Sequence, residues 1–321
     1  MQKRKFTLAI APHINTQEDV SKTMLLVLYA LLPALGWGFY VFGLPAFWLT
    51  LTCVLGAVSA EMLMQYMRKR DIWVIKDLSA VLTGILLAMC LSPNLPLWTG
   101  FLGSWFAIII GKALFGGLGY NIFNPALLGR AFLAISFPLL MTNWTVPIIN
   151  TDLSAVTTAT PLALSKFEHI FTSLQTLFFG MHGGCLGETS ALFLLLGGLF
   201  LVYKKVIDFR VPLSIFTAVA LMTVLLNFFT QGQAGTIFYN FFAGGLMIGA
   251  FFMATDLVTS PVTPFGNIVF GIGIGIIVMV IRVLGGLPEG VMFAILFMNG
   301  LVPLINRHTW PRRLGQGVVN K

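Results

Sequence analysis

Charged side chains are scarce in this sequence. Asp, Glu, Lys and Arg make up 9% of the 321 residues, and hydrophobic residues make up 57%, whereas soluble domains carry about 25% charged residues. Because this small number of charges cannot cover a water-facing surface, most of the outer surface of the protein must face lipid. With a mean hydropathy of +0.91, the sequence predicts an all-α integral membrane protein of one domain, with about ten transmembrane helices of roughly 20 residues each.

Cysteine is also rare, and the signatures of metal and catalytic sites are missing. Cys53, Cys90 and Cys185 are far apart and lack metal-ligand spacing, as do the four histidines. We therefore predict small, buried, unpaired thiols and no metal site. No Walker loop, Rossmann fingerprint or catalytic triad is present, and no catalytic residue is assigned. Glu18 and Asp19 precede the first apolar run and no cleavage site follows it, so the first helix is expected to stay in the membrane.

The net charge of +8 comes from short basic patches between the apolar runs. Patches of this kind set membrane topology, and no aromatic-basic interleaving indicates a nucleic-acid partner. With ten helices, 17 of the 19 Lys and Arg residues fall on one side and only Lys166 and Arg282 on the other. We therefore expect a multi-pass protein of the bacterial inner membrane with both termini in the cytoplasm. The 17 are Lys3, Arg4, Lys5, Lys22, Arg68, Lys69, Arg70, Lys76, Lys112, Arg130, Lys204, Lys205, Arg210, Arg307, Arg312, Arg313 and Lys321.

The ten predicted helices divide into two sets of five. The first half would occupy residues 24–142 and the second half 188–306, with an external segment at 143–187 between them. Cytoplasmic tails would occupy residues 1–23 and 307–321. The apolar runs lie near 24–43, 46–66, 78–93, 97–115, 123–142, 188–203, 211–229, 237–255, 266–284 and 289–306.

Five helices in each half would make the two halves inverted repeats. A weak internal echo between the third and eighth runs favours this arrangement. Residues 84–90 in the third run resemble residues 245–251 in the eighth, and Ser-Pro follows each of them. Chance similarity between apolar segments is the alternative.

The external segment contains an amphipathic stretch. In residues 163–180 apolar side chains recur at spacings of three and four, as on one face of a helix. We interpret this stretch as a helix lying on the outer membrane surface. The apolar positions are Leu164, Phe167, Ile170, Phe171, Leu174 and Leu177.

Just before that stretch comes Thr157-Thr158-Ala159-Thr160-Pro161. A polar linker that ends at a proline is one interpretation. The string also resembles the Ser/Thr-x-Ala-Thr flavinylation motif of the Na+-translocating NADH:quinone reductase B and C subunits and of the Rnf D and G subunits. The motif usually has an acidic residue six positions before its last threonine, where this chain has Ser154.

The resemblance extends over the whole chain. The chain is shorter than the quinone-reductase B subunits, which have a longer N-terminal extension, and so is more similar to the Rnf D subunits of this family. The segments that carry the resemblance are Ala11-Pro12-His13, Gly119–Ala126 with Gly129-Arg130, Phe252–Asp256 with Thr259-Ser260-Pro261, and Asn306–Thr309 with Pro311-Arg312-Arg313.

The resemblance implies a membrane subunit of an ion-translocating electron-transport complex of the ferredoxin:NAD+ oxidoreductase type. Thr160 would carry FMN through a phosphoester bond, with Thr157 and Thr158 beside it, and riboflavin would be a second, non-covalent flavin. The implied partners are the A, B, C, E and G subunits, a periplasmic flavin transferase and the lipid bilayer. The protein would position the flavin, and the flavin would carry the redox chemistry.

Four polar residues inside apolar runs have both structural and functional interpretations. Asn124 suits a helix N-cap before Pro125, or it binds a cofactor. Arg130 either snorkels or contacts a flavin. Glu61 either pairs with a basic residue or lies on an ion path. Asp256 either acts with Thr255 or Thr259 as a cap or contacts a cofactor or ion.

Two other functions fit the same composition. The B subunit of the Na+-translocating NADH:quinone reductase would pass electrons to quinone. A small-solute channel or transporter with inverted repeats would contain no flavin. The subunits that copurify with the chain distinguish the two electron-transport hypotheses, and mass spectrometry for flavin distinguishes both from a transporter.

Overall fold

The computed structural model of the protein describes residues 20–69, 77–145, 147, 159–230 and 234–310. The regular secondary structure of these residues is helical. Five of the helices, α1, α2, α10, α13 and α14, are long and apolar enough to cross a membrane, and four shorter apolar helices accompany them. The helices are α1 Val20–Phe42, α2 Leu44–Met67, α3 Ser79–Met89, α4 Leu97–Ile108, α5 Pro125–Ser136, α6 Pro138–Met141, α7 Pro161–Ala163, α8 Leu174–Phe179, α9 Ala191–Tyr203, α10 Arg210–Thr230, α11 Ile237–Phe242, α12 Leu246–Ile248, α13 Pro264–Val283 and α14 Val291–Thr309.

Three of these helices continue as one widened, π-helical turn. The turns are Ile109–Ala113 after α4, Leu164–Glu168 after α7 and Gly249–Met253 after α12. Such turns displace the backbone carbonyls of a helix and frequently occur at functional sites. Two of them lie beside polar residues that the sequence singles out.

Helices cover the predicted apolar runs, but two runs differ from a simple span. The third run forms only 11 helical residues, Ser79–Met89. The eighth run is broken at residues 243–245, between α11 and α12. The glycine pair Gly244-Gly245 explains the break, because Gly244 has a φ of 68°, a conformation that residues with a side chain rarely adopt.

Small residues allow the helices of the first half to lie close together. A Cβ added at Gly84 of α3 would lie 2.7 Å from the Cα of Val54 in α2, so only glycine permits this approach. Capping side chains begin several helices. The Asn124 side chain accepts hydrogen bonds from the N–H groups of Ala126 and Leu127, as an N-cap does. The Thr263 side chain accepts a hydrogen bond from the N–H group of Gly266 in the same way.

Many large apolar side chains on the long helices point outwards. Leu221, Phe228 and Phe229 of α10 are more than 70% exposed. Together with the length of the helices, this surface indicates a lipid-facing exterior.

Residues 163–180 differ from the single helix that the sequence predicts there, and that prediction is wrong. The helix that begins with α7 ends at His169, whose φ is 57°, and α8 begins only after Ser173. The apolar character of the segment remains, since Phe167 and Ile170 are 65% and 55% exposed. Leu177 instead points into the protein and is fully buried.

Candidate functional site

Glu61, in α2, forms a buried ion pair. The Nζ of Lys112, in the widened turn after α4, lies 2.7 Å from each Glu61 carboxylate oxygen and 2.6 Å from Ser79 Oγ. Glu61 and Lys112 are 4% and 2% exposed. The three ammonium protons therefore all have acceptors, and the structural interpretation of Glu61, pairing with a basic residue, is confirmed.

A cleft lies on the other side of Lys112. We call it the amide cleft, after Asn121 and Asn124 in its lining. Asp256, Ser79 and Lys112 also line it, between mostly apolar walls. A smaller cavity beside Glu61 is lined by Lys112 as well. Glu61 thus pairs with Lys112, and Asp256 lines the same cleft as that lysine.

Asn124 uses its whole side chain within the protein. Its Oδ1 caps α5, as the structural interpretation predicts, and its Nδ2 donates to Met253 O at 3.2 Å. Asn121 Oδ1, by contrast, is buried without a hydrogen-bond partner among the described residues. An unpaired buried acceptor is costly, so the amide cleft offers an unused acceptor to a bound molecule.

Asp256 follows the widened turn after α12. It accepts a hydrogen bond of 3.2 Å from Thr259 Oγ1, while Thr255 donates to Phe251 O within its own helical turn. The predicted cap of the next helix is therefore displaced, because Thr263 rather than Thr255 or Thr259 caps α13.

Arg130, in α5, also forms a buried ion pair. Its guanidinium lies 2.6 Å from Glu289 Oε2, so the side chain does not snorkel. Glu289 lies between α13 and α14, and its Oε1 accepts from Gly245 N at 2.9 Å. Arg130 and Glu289 line a second, open cleft, which we call the Arg130 cleft.

Arg282 donates hydrogen bonds to backbone carbonyls on the α11 side of the break between α11 and α12. Its two terminal nitrogens donate to Asn240 O at 2.7 Å and to Ala243 O at 2.9 Å. Unpaired backbone groups inside a membrane cost several kcal/mol each. Arg282 and Glu289 therefore stabilise the broken helix. Sequence reasoning missed both roles, because Arg282 and Glu289 lie 39 and 44 positions from their backbone partners Ala243 and Gly245.

Thr160 lies at the start of α7, where its Oγ1 caps the helix by accepting from Ala163 N at 3.2 Å. It is 7% exposed in this chain, whereas the sequence predicts an accessible hydroxyl. The neighbouring carbonyl of Pro161 accepts from Tyr239 Oη at 2.7 Å. Thr157 and Thr158 lie outside the described residues.

Lys166 fastens the segment after Thr160 to the end of α13. Its ammonium donates to four backbone carbonyls, those of Ile281 at 3.1 Å, Arg282 at 2.9 Å, Leu287 at 3.0 Å and Gly285. Cations at a helix C-terminus are stabilised by the orphan carbonyls and the helix dipole. Burial lowers the pKa of Lys166 from its ordinary value. This cluster of contacts is the Lys166 clamp.

The predicted site residues thus occupy three places. Asn124, Asp256 and Glu61 lie at or beside the amide cleft, Arg130 lies in the second cleft, and Thr160 lines neither. The three cysteines are buried and free, as predicted. Among the described residues no three His, Cys, Asp or Glu side chains are grouped to hold a metal ion.

Comparison with known proteins gives full-length similarity. The model of the NQR2, RnfD, RnfE family matches residues 7–315. The D subunit of a proton-translocating ferredoxin:NAD(+) oxidoreductase complex from Clostridium ljungdahlii is 42% identical, with 98% of both chains covered. The D subunit of a Na(+)-translocating ferredoxin:NAD(+) oxidoreductase complex from Acetobacterium woodii is 45% identical over 100% of this chain and 99% of the relative. The D subunit of an ion-translocating oxidoreductase complex from Stutzerimonas stutzeri is 38% identical, with 95% of each chain covered.

Proposed function

This chain belongs to the NQR2, RnfD, RnfE family, and from that premise we propose that it is the membrane-embedded D subunit of an ion-translocating ferredoxin:NAD+ oxidoreductase. Its end-to-end similarity to subunits with that function carries the proposal. The chain couples electron transfer to movement of Na+ or H+ across the inner membrane, in a complex with the A, B, C, E and G subunits. It is not active alone.

The test is purification of the complex through a tag on this chain. Copurification of a subunit with ferredoxin-type clusters, and ferredoxin-dependent NAD+ reduction by the preparation, are expected. Quinone reduction by NADH instead would identify the B subunit of the Na+-translocating quinone reductase. A preparation without flavin or redox partners would leave the small-solute transporter as the better function.

Thr160 carries covalent FMN in this proposal. Support comes from the Thr157–Thr160 motif and from the fixed position of Thr160 between Tyr239 and the Lys166 clamp. Phosphoester formation replaces the hydroxyl proton and keeps an oxygen that can accept from Ala163 N. Because Thr160 is buried in the folded chain, the flavin transferase would act when α7 is displaced or before it docks.

The amide cleft is the place for a non-covalent flavin such as riboflavin. Its walls are mostly apolar, as in small-molecule sites, and Asn121 Oδ1 is an acceptor without a partner among the described residues. A flavin bound there would supply one- or two-electron transfer. Asn124 would position the cleft wall through its bond to Met253, and Arg130 would act from the second cleft.

Glu61 and Asp256 lie on the ion path in this proposal. Glu61 pairs with Lys112, and Asp256 lines the same cleft as Lys112; buried carboxylates at membrane depth usually have a functional role. A cation or proton that weakened the Glu61–Lys112 ion pair would allow the Lys112 ammonium to move toward the amide cleft. Electron transfer at a flavin there would then influence the affinity of the carboxylates for the ion.

The proposed topology has ten helices, two inverted five-helix halves and cytoplasmic termini, which lie outside the described residues. Arg68 donates to Ala113 O next to Lys112, which supports one shared side for these basic residues. Lys166 binds the last turn of α13, which contains Arg282, and this supports a shared opposite side. Lys112 and Arg282 both lie at the end of the fourth predicted helix of their half, which are equivalent positions in an inverted repeat.

A further inference from the structure

Residues 181–190, between α8 and α9, are not helical, yet all but the first of them are buried. Gly187 N donates to Met89 O at 2.6 Å, at the end of α3. A Cβ added at Gly187 would also touch Ile248 of α12. The irregular segment therefore lies between the end of one short helix and the start of another.

This meeting point lies deep in the protein. Helix α3 has 11 residues, which at 1.5 Å per residue is about 16 Å, or about half of a 30 Å hydrocarbon core. Irregular backbone at such a depth is tolerated where it lines a site, and transporters place ion sites between broken helices near the midplane.

Glu188 is the acidic residue of this segment. It is 4% exposed, and its Oε2 has no hydrogen-bond partner among the described residues. A buried carboxylate with a free oxygen is costly, so this oxygen is expected to take a proton or another cation for part of the time.

The surroundings of Glu188 favour a proton over a metal ion. Arg130, Arg282 and Glu289 are close enough for their charges to act on it, and Cys90 at the end of α3 lies beside Arg130. Two guanidinium groups repel a metal cation. With Glu188 ionised, the positive charges of Arg130 and Arg282 balance the negative charges of Glu188 and Glu289. A bound proton changes the net charge of this group by one unit and, unlike a metal ion, does not need several ligands.

Glu188 packs against the backbone of its own segment and lies near a cleft. A Cβ at Gly184 would collide with Glu188 Oε2, so glycine at this position is what allows the carboxylate to lie there. The Arg130–Glu289 pair, whose charges act on Glu188, lines the Arg130 cleft together with Thr142 and Leu287 of the connecting segments. Water in that cleft is the nearest route for a proton.

We propose that Glu188 takes up and releases one proton as electrons pass through the complex. This inference rests on the proposed function. The step forms one O–H bond on Oε2 with a proton from water and breaks the same bond on release. Glu188 itself is neither oxidised nor reduced, since the electrons pass from reduced ferredoxin toward NAD+.

The test is redox-difference infrared spectroscopy on the purified complex. The wild type should show a carboxylic-acid carbonyl band that shifts in deuterated water, and Glu188→Gln should lack it. Glu168→Gln, which removes an exposed carboxylate of the external segment, should retain the band. In liposomes, Glu188→Gln should slow ion transport by about 100-fold, within the range of positioned proton-transfer groups, while covalent flavin is retained.

A band that persists unchanged in Glu188→Gln, or wild-type ion transport in that variant, would overturn the proposal. If Glu188→Gln does not assemble, Glu188→Asp keeps an acid, and its band should move rather than vanish. An unmoved band in Glu188→Asp would also overturn it. If the wild type shows the Glu188 band but moves no ion, the proposed function fails while proton exchange at Glu188 stands.

Discussion

Arg130 and Glu289 are 159 positions apart in the sequence, and their charged groups lie 2.6 Å apart in the structure. Glu289 also accepts from Gly245, so the pair joins α5 to the break before α12 and to the start of α14. A sequence pattern cannot show such a link, because neither residue belongs to a motif with the other.

The first prediction concerns this ion pair. Arg130→Met should destabilise the chain by about 3–5 kcal/mol, because it leaves Glu289 buried and unpaired. Arg210→Met is the control, since the Arg210–Asp208 pair is 39% and 31% exposed and should be worth at most about 1 kcal/mol. Thermal unfolding of the purified protein in detergent measures both. Equal losses in the two variants would contradict the structural role.

The second prediction concerns Thr160. Thr160→Ala should abolish in-gel flavin fluorescence and the mass of FMN less water on the peptide, and with them most electron transfer, because no hydroxyl remains. Thr157→Ala and Thr158→Ala are matched controls that should keep the label. A label that persists in Thr160→Ala, or moves to Thr157 or Thr158, would refute the assignment of the site.

The third prediction concerns the Lys166 clamp. Lys166→Met leaves the carbonyls at the end of α13 without their donor, and each lost charged hydrogen bond costs about 1.5–3 kcal/mol at most. We expect faster proteolysis within residues 159–180 and a lower yield of flavin attachment. Lys166→Arg should restore part of both, since it keeps the charge. Proteolysis at the wild-type rate in Lys166→Met would mean that the clamp does not hold this segment.

The fourth prediction separates packing from ion transport at Glu61. Glu61→Gln and Lys112→Met should each destabilise the protein, and the double variant should recover stability, because it leaves no unpaired charge. All three should lower ion transport in vesicles if Glu61 lies on the path. Asp256→Asn should lower transport with little loss of stability. Normal transport in the double variant would restrict Glu61 to a structural role.

The fifth prediction is the topology. A reporter that is active only in the periplasm should be inactive when fused after Lys321 and active when inserted near Ser154. The physical reason is the excess of Lys and Arg on one side. Activity at Lys321, or inactivity near Ser154, would overturn the orientation.

The sequence alone was enough for the helical membrane class, the Asn124 cap and the free buried cysteines. These features depend on local composition and on contacts within a few residues, such as an N-cap with its own helix. Family membership was also readable from the sequence, because its motifs are spread along the whole chain.

The sequence did not reveal the break at Gly244-Gly245 or the end of the external helix at His169. Apolar periodicity continues across both places, and only backbone conformation, with φ values of 68° at Gly244 and 57° at His169, stops the helices. Glu188 Oε2, which has no hydrogen-bond partner among the described residues, was equally hidden, because Glu188 lies within an irregular segment that shows no periodic pattern.

Composition and charge order therefore determined that this chain lies in a membrane and which ends of its helices should share a side. Only the tertiary structure decided which charges meet. Lys112 pairs with Glu61, which is 51 positions away in the sequence, and Arg130 pairs with Glu289, which is 159 positions away. A buried charge without a partner is so costly that buried charges are paired, but the packing of the helices determines which partner lies within reach of each charge.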